Sequence, residues 1–394
     1  MHELSQMIKD DMKPALGVTE PGAIAFAVAK ARSFTKGDIK KVNVAMNSGM
    51  YKNAFTCGIP NSNEVGNVFA AALGVVAGNA DKGLESLADV TPEDNVKAQE
   101  MIDQGKVTVE LSGITSRIFI EATVETEEDK AIVTIRDSHT NITKITVNDK
   151  VELETEDEKK TEEDGGEEEA HSIHKYTLQQ LYDYVTTVDI EEIRFINEAY
   201  KVNLELFHEG LENPRTTFAR QLLAINNGKE VSDDEQKTAS LMCNAAIEAR
   251  VIGLDKPAMS ITGSGAHGII ATMPLYAAYK VNGYTEEQLL RATALSYLVC
   301  MYIKEYSGRL SAFCGCAIAA GSGMACALVY LRGGTVEMMA HTLNNMASSI
   351  TGMICDGGNQ GCTMKGVAAV DAAYKSVEFA MNGIYISEVH GING

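Results

Sequence analysis

Hydrophobic and polar positions follow two different spacings along the chain. In the first hundred residues, Ala-rich stretches at 22–31 and 68–78 predict helices, and the apolar alternation at 42–46 predicts a short strand between them. The segment 47–67 is rich in Asn, Gly and Pro, which is typical of turns. This part of the chain is therefore predicted to be mainly helical, with one strand and a long loop.

A series of segments with β-branched residues in alternation follows. The period of two that strands require is found in residues 107–111, 117–124, 131–135 and 142–147. Asn148-Asp149 after the last segment indicates a hairpin turn. These segments predict a small, largely antiparallel β unit. Its edges need cover, from the helical parts of the chain or from a second subunit, because exposed strand edges pair with other chains.

An acidic run separates this β unit from the rest of the chain. Residues 152–169 contain eleven Asp or Glu and two Lys, too polar a composition to bury a core. An interaction segment or a solvated linker would fit, and we favour the linker. From residue 176 onward helical spacing dominates. The predicted fold class is α+β, with a mixed α/β N-terminal domain (1–151), an acidic linker (152–174) and an all-helical domain (175–394).

The charge balance excludes several classes of function. Lys and Arg number 34 against 54 Asp and Glu, and the net charge of −20 repels nucleic acids and anionic membranes. Residues 310–331 carry no charge, but their small residues and three cysteines favour a buried helix over a membrane span. No secretory signal follows Met1, so we expect a cytoplasmic protein whose eight cysteines are thiols or metal ligands.

Cysteine placement is the strongest chemical signal. Five of the eight lie near the C-terminus, at Cys314, Cys316, Cys326, Cys355 and Cys362. A Gly-rich loop between Cys355 and Cys362 would let two thiolates approach one site, and Cys314 or Cys316 could supply a third. Three thiolates suit an iron–sulfur cluster with one open iron, or a zinc ion with an open position. Buried core cysteines are the alternative, for which Cys326 in its apolar run is the best candidate.

A second Gly-rich segment, Gly263-Ser-Gly-Ala-His-Gly268, precedes an apolar run. Its backbone N–H groups could bind a carboxylate or a phosphate, although such segments are more often simple turns. His267 within it is either a base or a surface histidine. Dinucleotide-binding, phosphate-loop, serine-hydrolase and zinc-protease motifs are absent from the sequence.

Taken together, the motifs resemble those of the L-cysteine desulfidases, which are related to the iron–sulfur L-serine dehydratases. The resemblance covers most of the chain. It rests on Pro14-Ala-Leu-Gly-Val-Thr-Glu-Pro21, on Lys52-Asn53 with Gly58-Ile-Pro60, on His139-Thr-Asn141, on 263–268, on Arg309-Leu-Ser-Ala-Phe-Cys314, and on 352–365. Two departures stand out. Val18 replaces the family's cysteine before Thr-Glu-Pro, and Ala266-His267 replaces Asn-Gln.

The resemblance implies a helical domain like the serine dehydratase alpha chain and a [4Fe–4S] cluster held by three cysteines. Carried over by position, these cysteines are Cys314, Cys355 and Cys362, with Cys316 as the rival of Cys314. Glu20 and Lys52 are the implied catalytic residues, and His267, which departs from the family's pattern, is predicted to be catalytic as an alternative base. The implied substrate-binding residues are Thr19, Asn53, Ser264 and Gly265.

The function implied by the resemblance is β-elimination on a small L-amino acid. The open iron acts on the leaving group at Cβ, a base removes the Cα proton, and the product hydrolyses to pyruvate and ammonia. L-Cysteine, which would also release sulfide, is the first candidate substrate. An L-serine dehydratase-like enzyme and a non-catalytic ligand-binding relative are the alternatives. We expect a homo-oligomer, a dimer, with a small amino acid as substrate and neither nucleic acid nor membrane as partner.

Overall fold

The computed structural model describes residues 1–115, 117–155, 172–307 and 310–393. Most of the predicted acidic linker and Arg309 of the quoted motif lie outside these residues. The fold is mixed α+β, and its apolar residues form two main cores. The division into domains at 152–174 stays a prediction.

The first core lies between a sheet and a pair of helices. The strands are β2 (Ile39–Asn47), β3 (Val107–Gly113), β4 (Phe119–Thr126), β5 (Lys130–Arg136), β6 (Ile142–Val147) and β7 (Lys150–Glu154), in the order β3-β2-β4-β5-β6-β7. β2 and β3 are parallel, and all other pairs are antiparallel. Helix α2 (Thr19–Arg32) packs on β4 and β5, with α4 (Asn67–Ala77) against it. The alternation of β4 explains this arrangement, since Ile120, Ala122 and Val124 are buried.

Local chemistry explains where several of these elements begin and end. Helix α5 (Pro92–Asp103) starts with a reciprocal capping box between Thr91 and Asp94. The turn from β6 to β7 contains Asn148 and Asp149, both with positive φ, as a two-residue hairpin requires. The predicted hairpin is therefore present, and its second strand includes residues 152–154, which the sequence placed in the acidic linker.

The second core is made of helices. They are α6 (Leu178–Thr187), α7 (Ile190–Ile193), α8 (Asn197–Glu212), α9 (Phe218–Ile225), α10 (Glu235–Val251), α11 (Gly265–Asn282), α12 (Glu286–Ser307), α13 (Gly321–Leu331), α14 (Val336–Ile350) and α15 (Gly361–Met381). Of these, α10 and α11 are buried on most sides, and every residue of α10 from Thr238 to Val251 is buried. Small residues permit this close packing, because a Cβ added at Gly323 would lie 2.2 Å from the carbonyl oxygen of Ser296.

Two expectations about these elements were wrong. The segment 47–67 contains a helix, α3 (Ser48–Ala54), and is not a continuous loop. The region after residue 175 is not entirely helical, because β8 (Pro257–Ser260) pairs antiparallel with β1 (Lys13–Leu16). The N-terminal helix α1 (Glu3–Asp11) belongs to the second core, in which its Leu4 and Ile8 are fully buried. Such long-range pairing cannot be seen in local periodicity.

The uncharged run 310–331 is a buried element, as the sequence analysis favoured. It contains an irregular segment, one π-helical turn (Cys316–Ala320) and α13. Across the described ranges, none of the helices has both the length and the apolarity needed to cross a membrane.

Candidate functional site

A small cavity lies where the two cores meet. Its walls come from the first turn of α2, from α3, from the start of α11 and from the segment that follows α12. Six of the residues predicted from sequence line it, namely Thr19, Glu20, Asn53, Ser264, His267 and Cys355. The rival ligand Cys316 also lines it. Residues separated by more than 300 positions in the sequence therefore share one site.

Four predicted residues are not in the cavity wall but lie next to it. Lys52 donates a hydrogen bond from Nζ to the carbonyl oxygen of Ser311 at 3.1 Å. Gly265 is the first residue of α11, and Cys362 lies in the first turn of α15. Cys314 is buried beside the cavity-lining residues Phe313 and Gly315. The roles assigned to these residues stay predictions.

Glu20 is the acidic group of the cavity. It lies in the first turn of α2, is 6% exposed, and accepts a hydrogen bond from Asn53 Nδ2 at 2.8 Å. The hydroxyl of Thr19 donates to its other oxygen at 3.4 Å, and His139 Nε2 lies 3.9 Å from Oε1. The Thr-Glu-Pro, Lys-Asn and His-Thr-Asn motifs therefore converge on one carboxylate.

Backbone pairing brings two of the predicted ligand segments side by side. The N–H of Cys314 donates to Met353 O at 2.8 Å, and the N–H of Cys355 donates to Ala312 O at 2.9 Å. The loop after Cys355 returns against α3, where a Cβ added at Gly357 would lie 2.4 Å from the carbonyl oxygen of Lys52. This close approach explains the glycine, and it precedes Cys362, whose thiol donates to Gly357 O at 3.3 Å.

The thiols differ in their ionisation. A hydrogen bond from the Cys316 thiol lowers the pKa of Cys314 to about 6, against the opposing effect of burial. The same hydrogen bond, together with burial, raises the pKa of Cys316. Burial also raises the pKa of Cys362, and it raises that of Cys326 in the middle of α13 to about 12. Cys314 is thus the favoured thiolate of the Cys-Gly-Cys pair, and Cys326 behaves as a core residue.

The thiols near the cavity are the donor type that an iron–sulfur cluster takes. No three Cys, His, Asp or Glu side chains among the described residues converge on one metal position. A four-iron cluster does not need such convergence, because each thiolate binds a different iron atom. Cys314, Cys355 and Cys362 supply soft sulfur donors from segments in contact, at the edge of a cavity that would give a ligand access.

His267 has a defined hydrogen-bond arrangement. Its Nδ1 contacts the Thr262 hydroxyl, which itself donates to Ile261 O at 2.7 Å. When the hydroxyl proton is directed at Ile261 O, Nδ1 is the donor to the hydroxyl oxygen, and Nε2 then carries the lone pair. Nε2 faces Gly315, where an added Cβ would lie 2.9 Å away. Burial, with the charges of Lys304 and Arg250, holds the pKa of His267 well below its usual range.

The Thr262 backbone is strained into this position. Its φ of 53° is unfavourable for a β-branched residue, and its N–H donates to the carboxylate of Asp11 at the end of α1. Gly263 follows with φ 74°, so the chain turns sharply into α11. The N-terminal helix therefore helps to position the imidazole, which the sequence pattern did not indicate.

Two buried cations of the cavity were not predicted from the sequence. Arg250 on α10 and Lys304 on α12 are each 5% exposed and line the cavity. Lys304 Nζ donates to the hydroxyls of Ser307 and Ser311, and burial lowers its pKa. Local sequence carried no signal for either residue, because α10 and α12 also contain charged residues that are exposed, such as Lys237 and Glu286.

Comparison with known proteins agrees with this picture. The serine dehydratase alpha chain family matches residues 81–393. A UPF0597 protein of Clostridium botulinum is 40% identical over 388 residues, which is 98% of this chain and 90% of the relative. UPF0597 proteins of Caldanaerobacter subterraneus and Bacteroides fragilis are 37% and 34% identical over 99% of this chain and 90% of their own length.

The family match extends from the short helical turn before α5, through the sheet and the helical core, to the last described residue. It therefore includes His267, Arg250, Lys304 and the cysteine segments, while Glu20 and Asn53 precede it. Such a match indicates a lyase of the serine dehydratase type. The chain belongs to the serine dehydratase alpha chain family.

Proposed function

We propose that this protein is a [4Fe–4S]-dependent lyase that eliminates the Cβ substituent of a small L-amino acid. The observation that carries the proposal is the meeting of a buried carboxylate, a neutral imidazole, two cations and two thiols at one small cavity. An amino acid carries one positive and one negative charge, and this cavity offers partners for both. The family match supports the reaction class.

Cys314, Cys355 and Cys362 are the proposed cluster ligands. When bound, the cluster would supply a Lewis-acidic iron that stabilises the departing group at Cβ. The protein's own residues position the ligand segments. Lys52 positions the 310–314 segment through its hydrogen bond to Ser311 O, and the loop at Gly357 holds Cys362 near the other thiols.

His267 is the proposed base for the Cα proton. Its buried imidazole is neutral at ordinary pH, and the Thr262 contact leaves Nε2 free to accept a proton on the side of Gly315. Glu20, oriented by Asn53, would bind the substrate ammonium group. Removal of the Cα proton and loss of the Cβ substituent give aminoacrylate, which water converts to pyruvate and ammonia.

Two leaving groups fit the proposed elimination. The family match supports hydroxide, from L-serine, and the resemblance to the L-cysteine desulfidases supports sulfide, from L-cysteine. Val18 bears on this choice, because it stands where the desulfidases have a cysteine. Its buried side chain packs at Gly358, where an added Cβ would lie 2.8 Å from Val18 Cγ1. We propose L-cysteine as the first substrate and L-serine as the second, and elimination of either leaves the same aminoacrylate.

The test is anaerobic reconstitution with iron and sulfide, followed by assay of pyruvate, ammonia and sulfide from both amino acids. We expect equal amounts of pyruvate and ammonia, with one sulfide per pyruvate when L-cysteine is the substrate. Full iron loading without product from either amino acid would refute the proposed reaction. The outcome also decides between the two leaving groups.

The ligand assignment has its own test, which does not depend on turnover. Cys355→Ser and Cys362→Ser should each lower the bound iron and the cluster absorbance severely, because a hydroxyl is a poor replacement for a thiolate ligand. Cys326→Ala is the matched control, as it removes a buried thiol of α13 that lies in the core. Equal iron content in all three variants would contradict the assignment.

A further inference from the structure

Arg250 is the least satisfied charged group of the described structure near the cavity. Arg250 is only 5% exposed, and its Nε makes no hydrogen bond within the described residues. A guanidinium cannot lose its proton to escape this situation, so burial without a partner is unfavourable. Since Arg250 also lines the cavity, an anion in the cavity would satisfy it.

The neighbouring carboxylate on the same helix does not serve as this partner. Glu248 is fully buried, but its two oxygens accept hydrogen bonds from the backbone N–H groups of Thr217, Phe218 and Ala219 at the start of α9. Gln360 Nε2 also donates to it at 3.0 Å. Glu248 therefore caps the N-terminus of α9, and its negative charge is balanced by the N–H groups there.

A second feature points to an anion at the same place. The 18-residue helix α11 begins at Gly265, and its N-cap Ser264 makes no side-chain capping hydrogen bond. The N-terminus of such a helix attracts negative charge through its free N–H groups. Arg250 lies at this terminus, because a Cβ added at Gly265 would be 2.7 Å from Nε. Glycine at this position lets the guanidinium approach the helix end.

We infer that Arg250 and the N-terminus of α11 form the binding site for the α-carboxylate of the substrate. This inference rests on the proposed function for the identity of the ligand as an amino acid. Arg250 can donate two parallel hydrogen bonds to a planar carboxylate, which fixes its orientation. Ser264, in the cavity wall and without a capping role, is available to donate a further one. With the carboxylate at Arg250 and the ammonium at Glu20, the amino acid has one orientation in the cavity.

The test uses L-alanine, which has the carboxylate and ammonium groups but no leaving group, and L-alaninamide, which lacks the negative charge. Both are titrated calorimetrically into the anaerobically reconstituted protein. We expect L-alanine to bind about tenfold to hundredfold more tightly, the range for a charge-assisted hydrogen-bonded pair. Arg250→Gln should abolish most of this preference, and Arg250→Lys should retain part of it.

Two further variants sharpen the test. Gly265→Ala keeps the charge of Arg250 but displaces it, and should also reduce the preference for L-alanine. Arg291→Gln is the matched control, because Arg291 is a largely buried arginine whose guanidinium bonds Val185 O and Glu287, outside the cavity wall. It should bind both compounds like the unaltered protein.

Three results would overturn the inference. They are equal binding of both compounds to the unaltered protein, an undiminished preference in Arg250→Gln, or a loss of bound iron in Arg250→Gln, which would make Arg250 a partner of the cluster. Turnover of L-serine and L-cysteine is measured on the same preparations. A carboxylate preference without turnover would support the binding site and refute the elimination. Turnover without the preference would refute the role of Arg250 alone.

Discussion

Thr262→Val tests whether the hydroxyl of Thr262 selects the reactive tautomer of His267. Valine has the same branched shape, so the strained backbone at φ 53° and the hydrogen bond from its N–H to Asp11 should persist. The substitution removes only the hydroxyl that contacts Nδ1 and donates to Ile261 O. Nδ1 then loses the acceptor that keeps its proton there.

The size of the effect follows from one hydrogen bond. A neutral intramolecular hydrogen bond contributes about 0.5–1.5 kcal/mol, and 1.4 kcal/mol is a factor of ten in an equilibrium. The fraction of His267 with its lone pair on Nε2, and with it kcat, should therefore fall by about two- to tenfold. The carbonyl of Ile261, which also interacts with the imidazole, can act as a substitute acceptor and sets the upper limit of this loss.

Two measurements check this reasoning. The first is kcat for elimination by the reconstituted enzyme, with Thr262→Ser as the control that keeps the hydroxyl and should stay near the unaltered value. The second is the pair of imidazole ¹⁵N chemical shifts of His267 in the cluster-free protein, assigned by comparison with His267→Gln. If Thr262→Val has an unchanged kcat and an unchanged tautomer, the hydroxyl does not orient the imidazole and the argument fails.

Two other predictions follow from close contacts and charges. Gly268→Ala should lower the free energy of unfolding by about 3 kcal/mol or more, because its Cβ would lie 1.8 Å from Met259 O. Gly113→Ala should change the free energy of unfolding, measured by urea denaturation, by less than about 1 kcal/mol, because nothing lies within 4 Å of the added Cβ. Similar values for the two variants would contradict the packing argument. Glu20→Gln should raise KM for the amino acid by about tenfold, since Asn53 can still donate to the amide oxygen but the negative charge is lost. An unchanged KM would show that Glu20 does not bind the ammonium group.

Much of the fold could be predicted because its signals are local. The alternation at 107–147 predicted four strands of the sheet, and the Ala-rich segments predicted α2 and α4. Asn148 and Asp149 predicted the hairpin because their positive φ follows from residue type. The pairing of β1 with β8 and the helix α3 were not predictable in this way. The first joins residues about 240 positions apart, and the second has a turn-like composition that its tertiary contacts override.

The residues of the candidate site were likewise predictable only where a local motif marked them. Motifs indicated Thr19, Glu20, Asn53, Ser264, His267 and Cys355 as residues of interest, and all of them line one cavity. Arg250 and Lys304 were missed because a charged residue in a helix has no local pattern that distinguishes a binding group from an ordinary ion pair. Their importance depends on complete burial, and burial depends on which other helices surround them.

The sequence by itself determined the donor chemistry of this protein, its alternating strands and the glycines that permit tight turns, because these depend on residue type and near neighbours. Only the tertiary structure decided which groups act together. It paired the segment of Cys314 with that of Cys355 through backbone hydrogen bonds. It held Thr262, which contacts His267, against Asp11 at the end of α1, and it left Arg250 at the start of α11. Ionisation, tautomer and unpaired charge are set by burial and by contacts between distant segments, which local sequence does not encode.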